Sequence, residues 1–251
     1  MSKKRVRLIV AYDGTNYHGW QVQKNGITIE RELNRCLTEL LQEPIEVFGA
    51  SRTDAGVHAM GNVAVFDTCS RMPAEKISYA LNQRLPEDIR IQKSEEVDAD
   101  WHPRYCDSRK TYEYRIYRGE FPMPLKRLYA LHIYYNVDLE KMREAAKFFV
   151  GEHDFKSFCQ VGAQVKSTVR TVYDVSIIEE GADLVIRVTG GGFLYNMVRI
   201  MAGTLLEVGK GKIEPGQIPE IIQAKDREAA GPTAPAHGLT LIKYEFLKTV
   251  K

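Results

Sequence analysis

The sequence predicts an α+β fold built from two ferredoxin-like halves, each running β-α-β-β-α-β. Short runs with strand character alternate with segments of helical apolar period, and they come in the same order in residues 1–103 as in residues 104–251. No low-complexity segment or long linker interrupts them. The halves show no visible sequence similarity, so the repeat is one of pattern. The strand edges of two such units can join into one central, mainly antiparallel sheet, with helices packed on it and a cleft between the halves.

In the first half, Val6, Leu8, Val10 and Tyr12 alternate along a strand. Asp13 to Gly26 is polar and turn-rich, carries Trp20, and reads as a surface loop. Thr28 can cap a helix, with Glu30 and Glu32 in its first turn. Ile29, Leu33, Cys36, Leu37, Leu40 and Leu41 make the inward face, and Pro44 ends it. Ile45 to Ala50 and Asn62 to Thr68 are strands. Pro73 opens a second helix with Ile77, Ala80, Leu81 and Leu85 inward, and Pro86 stops it. Ile89 to Val97 is the fourth strand.

The boundary falls within Trp101 to Asp107. Lys110 to Arg118 then alternates as a strand, with Tyr112, Tyr114 and Ile116 on one face. A long connection, Gly119 to Asn136, leads to a helix capped by Asp138, with Leu139, Met142, Ala145, Ala146 and Phe149 inward and Gly151 closing it. Glu152 to Gly162 reads as an irregular loop. Val169 to Ile178 and Asp183 to Thr189 are strands joined at Glu180-Gly181. A helix from about Phe193 to Val208, a short one at Ile218 to Ala224 and a last strand, Leu239 to Phe246, complete the half.

The chain has 251 residues, of which 44% are hydrophobic and 27% charged, so it can bury a sizeable core without disulfides. A net charge of +2 permits a polyanionic partner without demanding one. Distribution says more. Lys3, Lys4, Arg5 and Arg7 cluster at the start, and Arg104, Arg109, Lys110, Arg115 and Arg118 interleave with Tyr105, Tyr112, Tyr114 and Tyr117. Cations for phosphate and rings for bases suit RNA, although a solvated strand face has the same composition. The 4 cysteines and 6 histidines are scattered without metal-ligand or redox spacing, which fits reduced thiols in a cytoplasmic protein. The first apolar run is too short for a signal peptide, and nothing approaches the ~18 apolar residues of a membrane span.

The stretch with the richest chemistry is GASRTDAGVHA, Gly49 to Ala59, a loop between two strands. Arg52 and Asp54 flank Thr53, and Ala50, Ala55 and Gly56 leave room for a ligand near the backbone. A tight turn, with Asp54 bonded to its own backbone and Gly56 at positive φ, explains the same residues. Gly190-Gly191-Gly192 before a helix could cradle phosphate, but Tyr195 stands where the dinucleotide pattern needs a third Gly. A kinked strand end or close backbone contact accounts for it better. Gly209-Lys210 lacks both the spacing and the Ser or Thr of a nucleotide loop. Arg199 lies in FLYNMVRIMAGTLL, a helix apolar on nearly every face, so its guanidinium must reach solvent or meet a carboxylate, for which Asp54 is a candidate.

GASRTDAGVHA resembles the signature loop of the TruA family, the tRNA pseudouridine synthases that act on positions 38, 39 and 40. AYDGTNYHGWQ, WHPRYCDSRKTYEYRI, GEHDFKSFC, GGGFLYNMVRIMAG and APAHGLTL resemble further family signatures in the same order, so the likeness spans nearly the whole chain. Ser51 stands where many members have Gly, and Trp101-His102-Pro103-Arg104 replaces a more usual Phe-His-Ala-Arg. The resemblance implies two ferredoxin-like halves around one continuous sheet, with the site in the central cleft. It implies Asp54 as catalytic aspartate and nucleophile, Arg199 as its ion-pair partner, and Tyr112 as the ring stacked on the target base and assisting proton transfer. Arg52 would enter the space left by a flipped nucleotide, and Leu239 would complete the base pocket. It further implies an isomerase acting on the anticodon stem-loop of tRNA, a homodimer with tRNA across both subunits, and no metal or organic cofactor.

Overall fold

The computed structural model describes residues 3–162 and 165–247; the extreme ends of the expected halves, 1–2 and 248–251, lie outside the described residues. The chain divides into two compact units, Met1–Ser108 with Leu241–Lys251, and Arg109–Thr240. This differs from a break after Pro103. Residues 104–108 stay with the first unit, and the last strand returns to it from Leu241.

The first unit contains β1 (Lys4–Tyr12), α1 (Ile29–Leu41), β2 (Phe48–Gly49), β3 (His58–Thr68), α2 (Ala74–Asn82) and β4 (Ile89–Val97). Its strands lie in the order β4-β1-β3-β2, every pair antiparallel, which is the ferredoxin-like arrangement. The alternation read from β1 is real: Val6, Leu8 and Val10 are fully buried and Tyr12 nearly so. Thr28 caps α1, its hydroxyl accepting the Arg31 N–H at 3.4 Å, and Ile29, Leu33, Cys36 and Leu37 are buried. The helix stops before Pro44, at Gln42 in the left-handed conformation, so Leu40 and Leu41 are only half-buried.

The expected strand from Ile45 to Ala50 shrinks to the two residues of β2. Helix α1 explains this. Thr38 Oγ1 accepts the Ile45 N–H at 3.1 Å and Asn34 Oδ1 accepts the Val47 N–H at 2.8 Å, so side chains take donors that a ladder would have used.

The second unit contains β5 (Ser108–Arg118), β6 (Leu131–Ile133), α3 (Leu139–Lys147), β7 (Gly151–Asp154), β8 (Val169–Glu180), β9 (Asp183–Gly190), α4 (Met197–Gly209) and α5 (Ile218–Ala224). Its order is β5-β9-β8-β7, with antiparallel neighbours, and β6 runs parallel beside β5. The run β5-β9-β8 repeats the β1-β3-β2 arrangement of the first unit, so the repeat of pattern is a repeat of topology. Asp138 caps α3 by accepting the Lys141 N–H at 3.1 Å. Strands β6 and β7 fall in segments expected to be a connection and an irregular loop. A last strand, β10 (Leu239–Phe246), pairs with β3 in the first unit.

Helix α4 begins at Met197 and not at Phe193, because Asn196 takes a left-handed φ of 60° and starts the helix there. Ile200, Met201 and Leu205 are fully buried, each stabilising the unit by roughly 1.5–3 kcal/mol. Gly203 lets the 231–234 segment press onto the helix: a Cβ there would run into the Pro232 carbonyl oxygen. Thr204 Oγ1 accepts the Gly231 N–H at 3.0 Å on the same side. Among the described residues, no helix is long and apolar enough to cross a membrane.

Candidate active site

The loop between β2 and β3 is a clamped structure. Its burial alternates: Ser51 and Thr53 are buried, Arg52 is exposed and Asp54 half-buried, so the two charged side chains stand on the accessible side. Asn62, fully buried on β3, holds the loop from below. Its Oδ1 accepts the Ser51 N–H at 3.2 Å and its Nδ2 donates to the Ser51 carbonyl at 2.9 Å. The Ala50 N–H reaches the Val63 carbonyl at 2.7 Å. The Tyr12 hydroxyl lies 2.7 Å from Thr53 Oγ1 and accepts from Asn62 Nδ2 at 3.4 Å. Burial pushes the Tyr12 phenol well above its ordinary value; the Thr53 and Asn62 bonds oppose this, and the neighbouring Asp54 charge adds to the rise.

The loop does contain a tight turn with Gly56 at positive φ, closed by a backbone bond. The Val57 N–H returns to the Asp54 carbonyl at 3.1 Å, with Gly56 at a φ of 77°. The 13–20 loop then locks the turn in place. Trp20 N–H donates to the Thr53 carbonyl at 3.0 Å and Gly56 N–H to the Tyr17 carbonyl at 3.2 Å. Gly19 sits at a φ of 82°, where a Cβ would lie 2.6 Å from the Thr53 oxygen. The Trp20 indole, fully buried, occupies the space a Gly49 Cβ would need. Turn and acid are therefore one structure: the same bonds fix the backbone that carries exposed Arg52 and half-buried Asp54.

The second unit holds the other three candidates. Tyr112, on β5 opposite Val188, is buried and meets the Phe193 ring edge-on at 5.4 Å. Tyr114 and Ile116, on the same face, are fully buried, and the Tyr114 hydroxyl donates to the Pro235 carbonyl at 2.9 Å. Arg199, in the first turn of α4, is half-buried. Its Nε donates to the Ala234 carbonyl at 2.7 Å and its Nη1 to Asn196 Oδ1 at 2.7 Å, while the Ala234 N–H returns to the Arg199 carbonyl at 3.1 Å. Leu239 is buried at the start of β10, after Gly238, which packs on the Tyr114 ring. Thus Arg52 and Asp54 share one loop of the first unit, and Tyr112, Arg199 and Leu239 belong to the second.

Sequence reasoning missed Tyr12, Asn62 and Asn196 as supports. Asn62 carried a signal, an amide inside the otherwise apolar run NVAVF; a polar residue there needs partners if it is buried. The glycine run begins at a strand end with a close backbone contact: Gly190 ends β9, and a Cβ on it would lie 2.9 Å from the Thr171 carbonyl oxygen. All four cysteines are free. Among the described residues, no three His, Cys, Asp or Glu side chains gather as a metal-binding group.

A family model described as tRNA pseudouridine synthase matches residues 8–106 and 145–246. A tRNA pseudouridine synthase A of Acetivibrio thermocellus is 49% identical over 243 residues, 97% of this chain and 100% of that protein. A protein of the same description from Ruminiclostridium cellulolyticum is 48% identical, covering 97% of this chain and 100% of its own length. The crystal structure of an archaeal box H/ACA sRNP Nop10-Cbf5 complex is matched at 14% identity and a TM-score of 0.37, covering 90% of this chain and 60% of that one, too distant a likeness to carry an argument.

Proposed function

The chain belongs to the tRNA pseudouridine synthase family, and from that premise we propose that it isomerises uridine at positions 38, 39 and 40 of the tRNA anticodon stem-loop, with Asp54 as nucleophile. Membership of the family makes the protein an isomerase that forms pseudouridine in tRNA. The clamped loop is the observation that supports the role of Asp54. It spends a buried amide, a buried phenol and two close glycine contacts on fixing a backbone whose outward side chains are Arg52 and Asp54.

The reaction breaks the N1–C1′ bond, turns the uracil and forms a C5–C1′ bond; the C5 proton leaves and N1 takes one up, so atoms balance. Nothing is oxidised or reduced. The base must leave its stack to be reached. An ionised carboxylate at Asp54 can form the covalent adduct that detaches the base. Arg199 pairs with Asp54 and holds it charged, as a guanidinium beside a carboxylate does. Tyr112 stacks on the target uracil and assists proton transfer, Leu239 completes its pocket, and Arg52 fills the space the nucleotide leaves. The active form is a cytoplasmic homodimer with tRNA across both subunits. None of these steps calls on a metal or organic cofactor.

Asp54→Asn protein is expected to bind tRNA with wild-type affinity and form no pseudouridine, read by carbodiimide labelling and primer extension across the anticodon arm. Turnover retained by that variant rejects Asp54 as nucleophile. Pseudouridine appearing only elsewhere in the tRNA rejects the assigned positions.

A further inference from the structure

The 101–107 segment, which closes the first unit, carries a surface that the isomerisation leaves unused. Its Tyr105 side chain is 87% exposed. On one face the ring stacks on His102, centroids 4.6 Å apart and planes 30° apart, and His102 in turn leans on Phe48 at 6.3 Å. His102 Nδ1 accepts the Arg104 N–H at 3.2 Å; burial first, then the charges of Arg104 and Arg5, push its pKa down, so the ring stacks as a neutral aromatic. The Arg104 side chain runs back to the loop that holds Asp54, its Nε donating to the Gly49 carbonyl at 2.7 Å in a part-buried contact. Burial lowers the Arg104 pKa and the Arg52 charge lowers it further, a like-charge proximity that a phosphate would relieve. Glu30, the carboxylate that opposes this, accepts the Val22 N–H at 2.9 Å.

The segment is rigid where a linker would be loose. The Tyr244 hydroxyl donates to the Pro103 carbonyl at 3.1 Å, Ser108 Oγ donates to that hydroxyl at 3.1 Å, and the Leu247 N–H donates to the Asp107 carbonyl at 2.9 Å. Trp101 is held edge-on by Phe246 at 5.0 Å and capped by Arg7 at 5.2 Å. A fixed ring stacked on a second, with a cation on the adjoining residue, is how single-stranded nucleic acid is seated. Preorganisation removes most of the ordering cost.

We propose that Tyr105, backed by His102 and Phe48, seats one unpaired nucleotide of the tRNA beside the isomerised uridine, and that Arg104 meets that nucleotide's phosphate. The inference rests on the tRNA reading above. It is tested with anticodon stem-loop RNAs in which single loop nucleotides are replaced by 2-aminopurine, whose emission is quenched on stacking. Wild-type protein is expected to quench further at one loop position. Tyr105→Ala removes that quench and weakens RNA binding about tenfold, whereas Tyr105→Phe stays within about twofold of wild type. Arg104→Gln lowers the salt slope of binding by about 0.7 to 0.9, the share of one phosphate, and Arg104→Lys keeps it.

Full affinity and unchanged quenching in Tyr105→Ala overturn the seat, as does an equal loss in Tyr105→Phe. An unchanged slope in Arg104→Gln overturns the phosphate contact. Binding and turnover separate this from the parent reading. Wild-type protein that binds the RNA without converting uridine removes the isomerase reading and leaves the Tyr105 comparison standing.

Discussion

In the first unit Asp54 and Arg52 stand on a loop, whereas in the second Tyr112 and Arg199 stand on a strand and a helix. The loop has no ladder of its own, so its backbone groups are met one by one, by the Asn62 amide and by the 13–20 loop. Strand β5 pairs its backbone with β9 and β6, helix α4 bonds its own, and their side chains are aimed by packing: Gly203 admits the 231–234 segment, whose Ala234 carbonyl then fixes Arg199. A loop thus buys position with buried polar groups, and a helix with close packing. The first should be sensitive in activity and the second in stability.

The sharpest test removes the clamp. Asn62→Ala leaves the Ser51 backbone groups unmet inside the unit. Pseudouridine formation at saturating tRNA is expected to fall about a hundredfold, the effect of misplacing a reacting group by about an ångström. Stability should fall by about 2 kcal/mol in urea unfolding, the cost of orphaned buried polar groups. Equal turnover in wild type and variant would break the contrast.

On the other side, Gly203→Ala drives a Cβ into the Pro232 carbonyl, a backbone atom that cannot swing away. The expected cost is about 2–3 kcal/mol of stability. Turnover per folded molecule should drop less than in Asn62→Ala, and the reverse ranking would show that helix packing, too, sets the chemistry.

The smallest effect controls for surface charge. Arg5 grips Asp67 through two bonds, of 2.8 and 2.9 Å. Its hydrogen bond leads in holding the Asp67 carboxyl below the usual range, with Lys3 assisting and burial opposing. A lowered folded-state pKa stabilises above the unfolded value, near 3.9, and that stability is lost as the pH falls through the lowered pKa. Asp67→Asn should therefore cost about 1 kcal/mol at pH 7 and progressively less below about pH 4, in paired unfolding curves. A constant cost across that range would mean that Asp67 acts through packing.

Legibility in the sequence follows the same division. Thr28 and Asp138 announced their helices because a cap is local chemistry, and the alternation of β1 was plain because one face of it is fully buried. Strands β6 and β7 were hidden. They are three and four residues long and owe their extended form to partners far along the chain, Ile116 to Arg118 and Val169 to Val172. The same non-locality returned the last strand to the first unit. Asp54 and Arg52 could be picked out because charge among small residues is conspicuous. Tyr12 could not, since on an alternating strand it looks like any core aromatic until Thr53 and Asn62 are found at its hydroxyl.

Both tryptophans of the chain, Trp20 and Trp101, lie in the first unit. Trp20 is buried beside Gly49, its indole N–H without a hydrogen-bond partner among the described residues, and Trp101 lies between Arg7 and Phe246. Indole emission is therefore a spectroscopic window on that unit alone. Trp20, dry and unbonded, should emit at the blue end and shift red when the loop carrying Asp54 comes loose. Trp101 should change when RNA reaches the segment that bears Tyr105. Melting followed by fluorescence and by circular dichroism would coincide if the units unfold together and separate if they do not, with no label added to the protein.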